Sequence, residues 1–129
     1  MEGEFLIPQE IADEEYLYRG VVAPLWDVTH NRPSSAVFKD SKGASVDRDA
    51  LFRDSKTCVG ALLNNKPFVA VCRVKESSVK EIEAVTKYKP IPENIYHCEI
   101  HDVEGKVSLS GKKPNRLRDL SEVVFHREG

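Results

Sequence analysis

Phe68-Val69-Ala70-Val71-Cys72-Arg73-Val74 is the stretch whose reading decides the fold. Its first five residues form the longest apolar run in the chain, and the segment is apolar at both odd and even positions. Side chains of a strand alternate between faces, so a run apolar on both sides reads as a central strand covered above and below.

Working outward, Tyr16-Leu17-Tyr18-Arg19-Gly20-Val21-Val22 is rich in aromatic and β-branched residues and reads as a first strand, ended by Pro24. Residues 23–33, with Pro24, Asn31 and Pro33, read as a connecting loop. Ser35-Ala36-Val37-Phe38 follows as a short strand candidate, and Asp40-Ser41-Lys42-Gly43 as a turn. After Ser45-Val46 the signals become helical, with Ser45 or Asp47 able to cap a turn at Asp49-Ala50-Leu51. Asp54 or Ser55 can cap a helix carrying Val59, Leu62 and Leu63 on one face, stopped by Asn64-Asn65 and Pro67.

Beyond the central run, Ser78 and Glu81 have the spacing of a capping box, opening a helix with Val79, Ile82 and Val85 on one side and ending before Pro90 and Pro92. Residues 95–101 read as a further strand. Pro114 suits the first turn of a last helix that shows Leu117, Leu120 and Val124 on one side. The order predicts an α+β fold: a single domain over residues 16–129, with a mixed or antiparallel sheet and about three helices packed mainly on one face. Residues 1–15, with six acids, no base and Pro8, read as an acidic arm.

The chain has 129 residues, enough for one domain with one core. Nineteen Lys and Arg against 21 Asp and Glu leave a net charge of −2, which argues against a polycation that coats nucleic acid or membrane. That total is a cancellation. Residues 1–64 hold 11 acids and 7 bases, a net of −4, and residues 65–129 hold 10 acids and 12 bases, a net of +2. It leaves room for one local anion site near Lys112, and for the arm to contact it.

No stretch approaches the roughly 18 apolar residues of a membrane span. The start, Met1-Glu2-Gly3-Glu4, is acidic where a secretory signal is basic and then apolar, so a cytoplasmic location is expected. Cys58, Cys72 and Cys98 are odd in number and widely spaced, so they form no disulfide framework and no C-x-x-C site, and each reads as a small reduced hydrophobe.

Four segments carry candidate chemistry. In Tyr96-His97-Cys98-Glu99-Ile100-His101 the alternation puts His97, Glu99 and His101 on one face, readable as a solvated sheet face, a catalytic or binding stripe, or part of a metal site. Three or four converging ligands are needed for zinc, and no spacing supplies the rest from Asp27 or His30, so no metal residues are assigned. Arg19 beside Gly20 can hold a phosphate or carboxylate with its fork while the glycine admits a ligand to the backbone; the alternative is an edge charge that blocks aggregation. The polar loop holding Arg32, Ser34, Ser35, Ser45, Asp47 and Arg48 has the composition of functional loops, but Ser34 and Ser35 lack a nucleophile elbow or triad spacing. Finally Lys106, Lys112, Lys113, Arg116 and Arg118 lie in a stretch without acids, where Pro114 sets a helix N-terminus beside Lys112 and Lys113 that can meet an anion. Interleaved aromatics are missing there, so nucleic acid is not the expected partner. Walker, G-x-G-x-x-G, H-E-x-x-H and EF-hand patterns are absent, and the sequence names no cofactor.

At Arg32-Pro33-Ser34-Ser35-Ala36-Val37-Phe38-Lys39-Asp40, with Ser45-Val46-Asp47-Arg48 and His97-Cys98-Glu99-Ile100, the chain resembles small uncharacterised bacterial proteins over roughly residues 16–125. That resemblance implies no activity. A looser one concerns ADP-ribosyltransferase-like enzymes, which place an arginine or histidine on an early strand, a serine or tyrosine on the next and a glutamate on a late one. Arg19, Ser35 and Glu99 follow that order, whereas S-T-S and E-x-E do not occur.

The leading expectation is a small cytoplasmic accessory or binding protein. It would take a protein partner or a small anionic ligand, with Arg19, His30, Arg32, Ser34, Lys112 and Lys113 as binding residues and the 26–48 loop region and the 95–102 strand as its working surfaces. The alternative is an enzyme that processes a nucleotide or NAD, with Arg19 as phosphate clamp, Ser35 on the ribose, and Glu99 or His97 as the polarising or general-base group. A third reading is local anion or nucleic-acid binding through the basic stretch 106–118.

Overall fold

Eight strands and two helices appear in a computed structural model of the protein, which describes residues 10–49, 67–92 and 94–127. The strands are β1 (Tyr16–Val22), β2 (Trp26–Asp27), β3 (Arg32–Pro33), β4 (Ala44–Arg48), β5 (Phe68–Lys75), β6 (Val85–Tyr88), β7 (His97–His101) and β8 (Glu122–His126); the helices are α1 (Glu76–Glu81) and α2 (Lys113–Leu120). Six strands make one sheet in the order β6-β7-β4-β1-β5-β8, while β2 and β3 form a separate two-stranded ribbon. Each neighbouring pair is antiparallel.

β1 and β5 pair along their whole length, from Tyr16 opposite Lys75 to Val22 opposite Phe68. Their inward residues Leu17, Val21, Ala70, Cys72 and Val74 join Ala44 and Val46 of β4, Cys98 and Ile100 of β7, Val79 and Leu117 from the helices, and Ile82 just after α1 in one core. β5 is thus an interior strand, as its two-sided apolar run implies.

The expectation of about three helices packed on one sheet face is overturned: the described residues are mostly antiparallel sheet, with helices of only six and eight residues. The helix expected at Asp54 or Ser55, with Val59, Leu62 and Leu63, lies outside the described residues, as do residues 1–9 of the acidic arm. α1 begins at Glu76, two residues before Ser78, so the capping box does not form. Backbone from the arm caps this helix instead: the amide of Glu76 donates to the Glu15 carbonyl at 3.0 Å and that of Ser77 to the Asp13 carbonyl at 2.9 Å, satisfying donors that a helix start otherwise leaves orphaned. α1 stops early because Glu83 takes a left-handed φ of 62° and turns the chain into β6. Val85, expected on the helix, opens that strand. α2 likewise ends at Leu120, and Val124, expected on its apolar face, belongs to β8, which pairs with β5.

Two further segments change type. The strand expected over 35–38 is a pair of turns, in which the Val37 amide donates to the Ser34 carbonyl and the Lys39 amide to the Ala36 carbonyl, yet Val37 and Phe38 are buried. Conversely, the helical signals after Ser45-Val46 give way to β4, whose inward positions are Ala44, Val46 and Arg48. A charged residue on the buried face conceals the alternation of that strand.

β4 pairs with β7 from Ala44 to Asp47 but with β1 only at Leu17 opposite Arg48 and Tyr18 opposite Asp47. Beyond Tyr18 the β1–β4 ladder ends, so the two strands part in the middle of the sheet.

Candidate functional site

Where β1 and β4 part, a groove of about 810 Å³ opens, inside the usual range of roughly 300–1,000 Å³ for small-molecule sites. Gly20 and Val22 of β1, Ser45 and Asp47 of β4, Phe68 of β5, and Asn94, Tyr96 and His97 before and in β7 contribute to its walls. The outward positions of β1 and β4 thereby face each other without ladder bonds between them.

Arg19 sits at the parting. Half-buried, it donates from Nε to the Val37 carbonyl at 2.6 Å and from Nη1 to the Ser45 carbonyl at 2.8 Å, so its guanidinium fastens the 34–39 turns and β4 where strand pairing has stopped. Both acceptors are neutral. Burial pushes its pKa below the ordinary guanidinium value, and Asp40, which also lines the groove, pulls it back in part.

Gly20 is needed for close approach. A Cβ there would lie 2.3 Å from the Phe68 ring, so the glycine lets that ring settle on the β1 backbone at the groove. On the opposite wall Asn94 donates from Nδ2 to Asp47 Oδ1 at 2.5 Å, and its own Oδ1 accepts from the Tyr96 amide at 3.0 Å. Tyr18 donates from its hydroxyl to Asp49 at 3.2 Å and accepts from Arg73 at 3.2 Å, and burial raises its pKa.

Of the stripe on β7, His97 lines the groove, and Glu99 and His101 are not among its lining residues. Glu99 is engaged with His101 Nε2 at 2.9 Å, His97 Nε2 at 3.5 Å and Lys89 Nζ at 3.5 Å. Burial works to raise its pKa, and the histidine and lysine contacts outweigh that and hold the carboxyl below its ordinary value. His101 is 7% exposed beneath Gly43, whose φ of 92° and missing Cβ, which would lie 2.9 Å from the ring, make room for it. Half of the polar stripe is therefore closed over by the turn before β4.

The remaining candidates lie apart. Ser34 accepts the Ala36 amide at 3.2 Å within the turns, and Ser35, in those same turns, does not line the groove. His30 is exposed and bonded through its amide and Nδ1 to Asp27, and Arg32 is exposed on β3. Lys112 is exposed ahead of α2, whereas Lys113 reaches the Glu83 and Asp102 carbonyls at 3.0 Å and the Asp102 carboxylate at 3.2 Å. Arg118 is 8% exposed and donates to the Pro33 carbonyl, Asn115 and Asp119. Much of the basic stretch thus serves the fold. The arm's described acids meet Lys80, Lys75 and Arg48, through Asp13, Glu14 and Glu15 respectively, rather than Lys112.

Cys72 and Cys98 are buried, and burial pushes both thiols up to about 12, which leaves them protonated and poor nucleophiles at neutral pH. Among the described residues no group of three His, Cys, Asp or Glu side chains is placed to share a metal ion, and no helix is long and apolar enough to cross a membrane.

Sequence reasoning passed over Asn94, Tyr96 and Phe68 as groove residues and treated Ser45 and Asp47 as loop or cap. The one legible signal was period-two alternation in 44–48, which sends Ser45 and Asp47 to the face opposite Ala44 and Val46. No protein-family model, curated protein or solved structure matches the chain.

Proposed function

We propose that the protein is a cytoplasmic binding protein whose ligand is a small molecule held in the groove between β1 and β4. The observation that carries this reading is the parting of the two strands, which leaves an open space of ligand size lined by Gly20 and Val22 of β1, by Ser45 and Asp47 from the 26–48 region, and by His97, the β7 ladder partner of Asp47. Aromatic rings at Tyr18, Phe68 and Tyr96 supply apolar surface, and Arg19, Asp47, Asn94 and His97 supply orienting polar groups, the mixture such sites use. Cysteine use without a disulfide framework supports the cytoplasmic setting.

No observation favours the nucleotide-processing reading, since Ser35 and Glu99 stand outside the groove that Arg19 lines. The test is a thermal-shift screen of the full chain against nucleotides, NAD and sugar phosphates, because a ligand that binds only the folded state raises its apparent stability. Hits are to be mapped by amide chemical-shift changes. Changes are expected at Gly20, Ser45 and His97, and lost in Ser45→Phe, which fills the groove. Shifts confined to Lys112 and its neighbours would overturn the reading.

A further inference from the structure

The arginines of the fold that are buried or half-buried on β4, β5 and α2 have carboxylate partners. Arg48 pairs with Glu15, Arg73 with Glu122 and Arg118 with Asp119, each at 2.7–2.8 Å. Arg19 is half-buried as well, yet among the described residues no carboxylate lies within ion-pair distance of it, and its two hydrogen bonds end on uncharged carbonyls. A guanidinium partly taken out of water with no carboxylate in contact incurs a desolvation cost that a more distant charge such as Asp40 offsets only in part. Its Nη2 has no protein partner among the described residues, and the residue lines the groove.

We infer that Arg19 anchors the anionic head, a phosphate or a carboxylate, of a small ligand that also carries hydroxyl or amino donors. The inference rests on the groove reading above and names the chemistry of its occupant. The planar fork of arginine matches the paired oxygens of such a head. The donors are required by the rest of the lining: the Asp40 and Asp47 carboxylates repel a bare anion but accept hydrogen bonds from hydroxyl or amino groups. Inorganic phosphate, lacking a donor-rich body, is expected to bind poorly.

The experiment is calorimetric titration of the full chain with three pairs: ribose 5-phosphate and ribose, adenosine monophosphate and adenosine, gluconate and glucose. In at least one pair the charged member is expected to bind about tenfold tighter or more, the size of one charge-assisted hydrogen bond. The pairs separate a phosphate from a carboxylate head. In Arg19→Met the advantage should disappear. Because that change also removes two structural hydrogen bonds, Ser45→Phe is the second variant; it obstructs the groove, leaves those bonds to the backbone in place, and should abolish binding of both members. Equal affinity within every pair overturns the anchor while leaving the groove standing. Binding by none of the six compounds, or a charge preference that survives Ser45→Phe, overturns the anchor and the groove reading together.

Discussion

Arg48 is 1% exposed on the core face of β4, held by Glu15 through two hydrogen bonds of 2.8 Å and lying 4.8 Å from the centre of the Tyr88 ring. Removing one partner of a buried pair strands the other charge, so Glu15→Gln should cost about 3–5 kcal/mol in a urea titration. A loss below about 1 kcal/mol, the size of an exposed pair, would show that Glu15 is not the essential counter-charge. Asp102 makes a similar use of charge in the loop before α2, accepting from the Ser110 amide and hydroxyl and from Lys113. Burial works to raise its carboxyl, but Lys113 and Ser110 prevail and hold it below the ordinary value. Its contribution is therefore present above the unfolded carboxyl pKa of about 3.9 and lost as pH falls through the lower folded value. Asp102→Asn should be less stable than wild type near neutrality, with the gap narrowing as the medium is acidified; a gap unchanged down to about pH 2 would refute this. Neither role was visible in the sequence, because Glu15 and Arg48, or Asp102 and Lys113, meet only after the chain has folded back.

At the scale of elements, the strand patterns of β1, β5 and β7 were the reliable signal, while helical apolar spacing at Val85 and Val124 and local capping chemistry were not. β1 runs over the residues that its aromatic and β-branched content marked, and β5 and β7 follow their expectations to within one or two residues. α1 shows why a motif at correct spacing can still be idle. Ser78 and Glu81 satisfy the capping-box pattern, but the chain enters the helix straight from β5, and the carbonyls of Glu15 and Asp13 already occupy the first amides. Ser78→Ala should therefore change stability by less than about 0.5 kcal/mol, whereas loss of a working serine cap costs about 1 kcal/mol. Chemical denaturation of that single variant separates the two.

Over the whole molecule, the segment before β1 acts as a strap. Ile11 is buried in the core, Glu15 neutralises Arg48, and backbone carbonyls of this segment cap α1. Deleting residues 1–15 should lower the thermal midpoint far more than Asp13→Asn and Glu14→Gln combined, since those two carboxylates make exposed ion pairs worth about 0–1 kcal/mol each. If the deletion and the double substitution melt alike, the strap carries no weight beyond its surface charges.

The sequence alone determined that the chain has a sheet with a two-sided central strand, that the polar face of β7 carries His97 and Glu99, and that Arg19 lies within a strand beside a glycine. These follow from side-chain alternation, a local property of each segment. Only the tertiary structure decided the helix count, the conversion of residues 44–48 into a strand, and the parting of β1 from β4 that places Arg19 and His97 on one groove and leaves Glu99 outside it. Strand register and ladder length are set by contacts between residues far apart in the chain, and no local pattern encodes where two strands cease to pair.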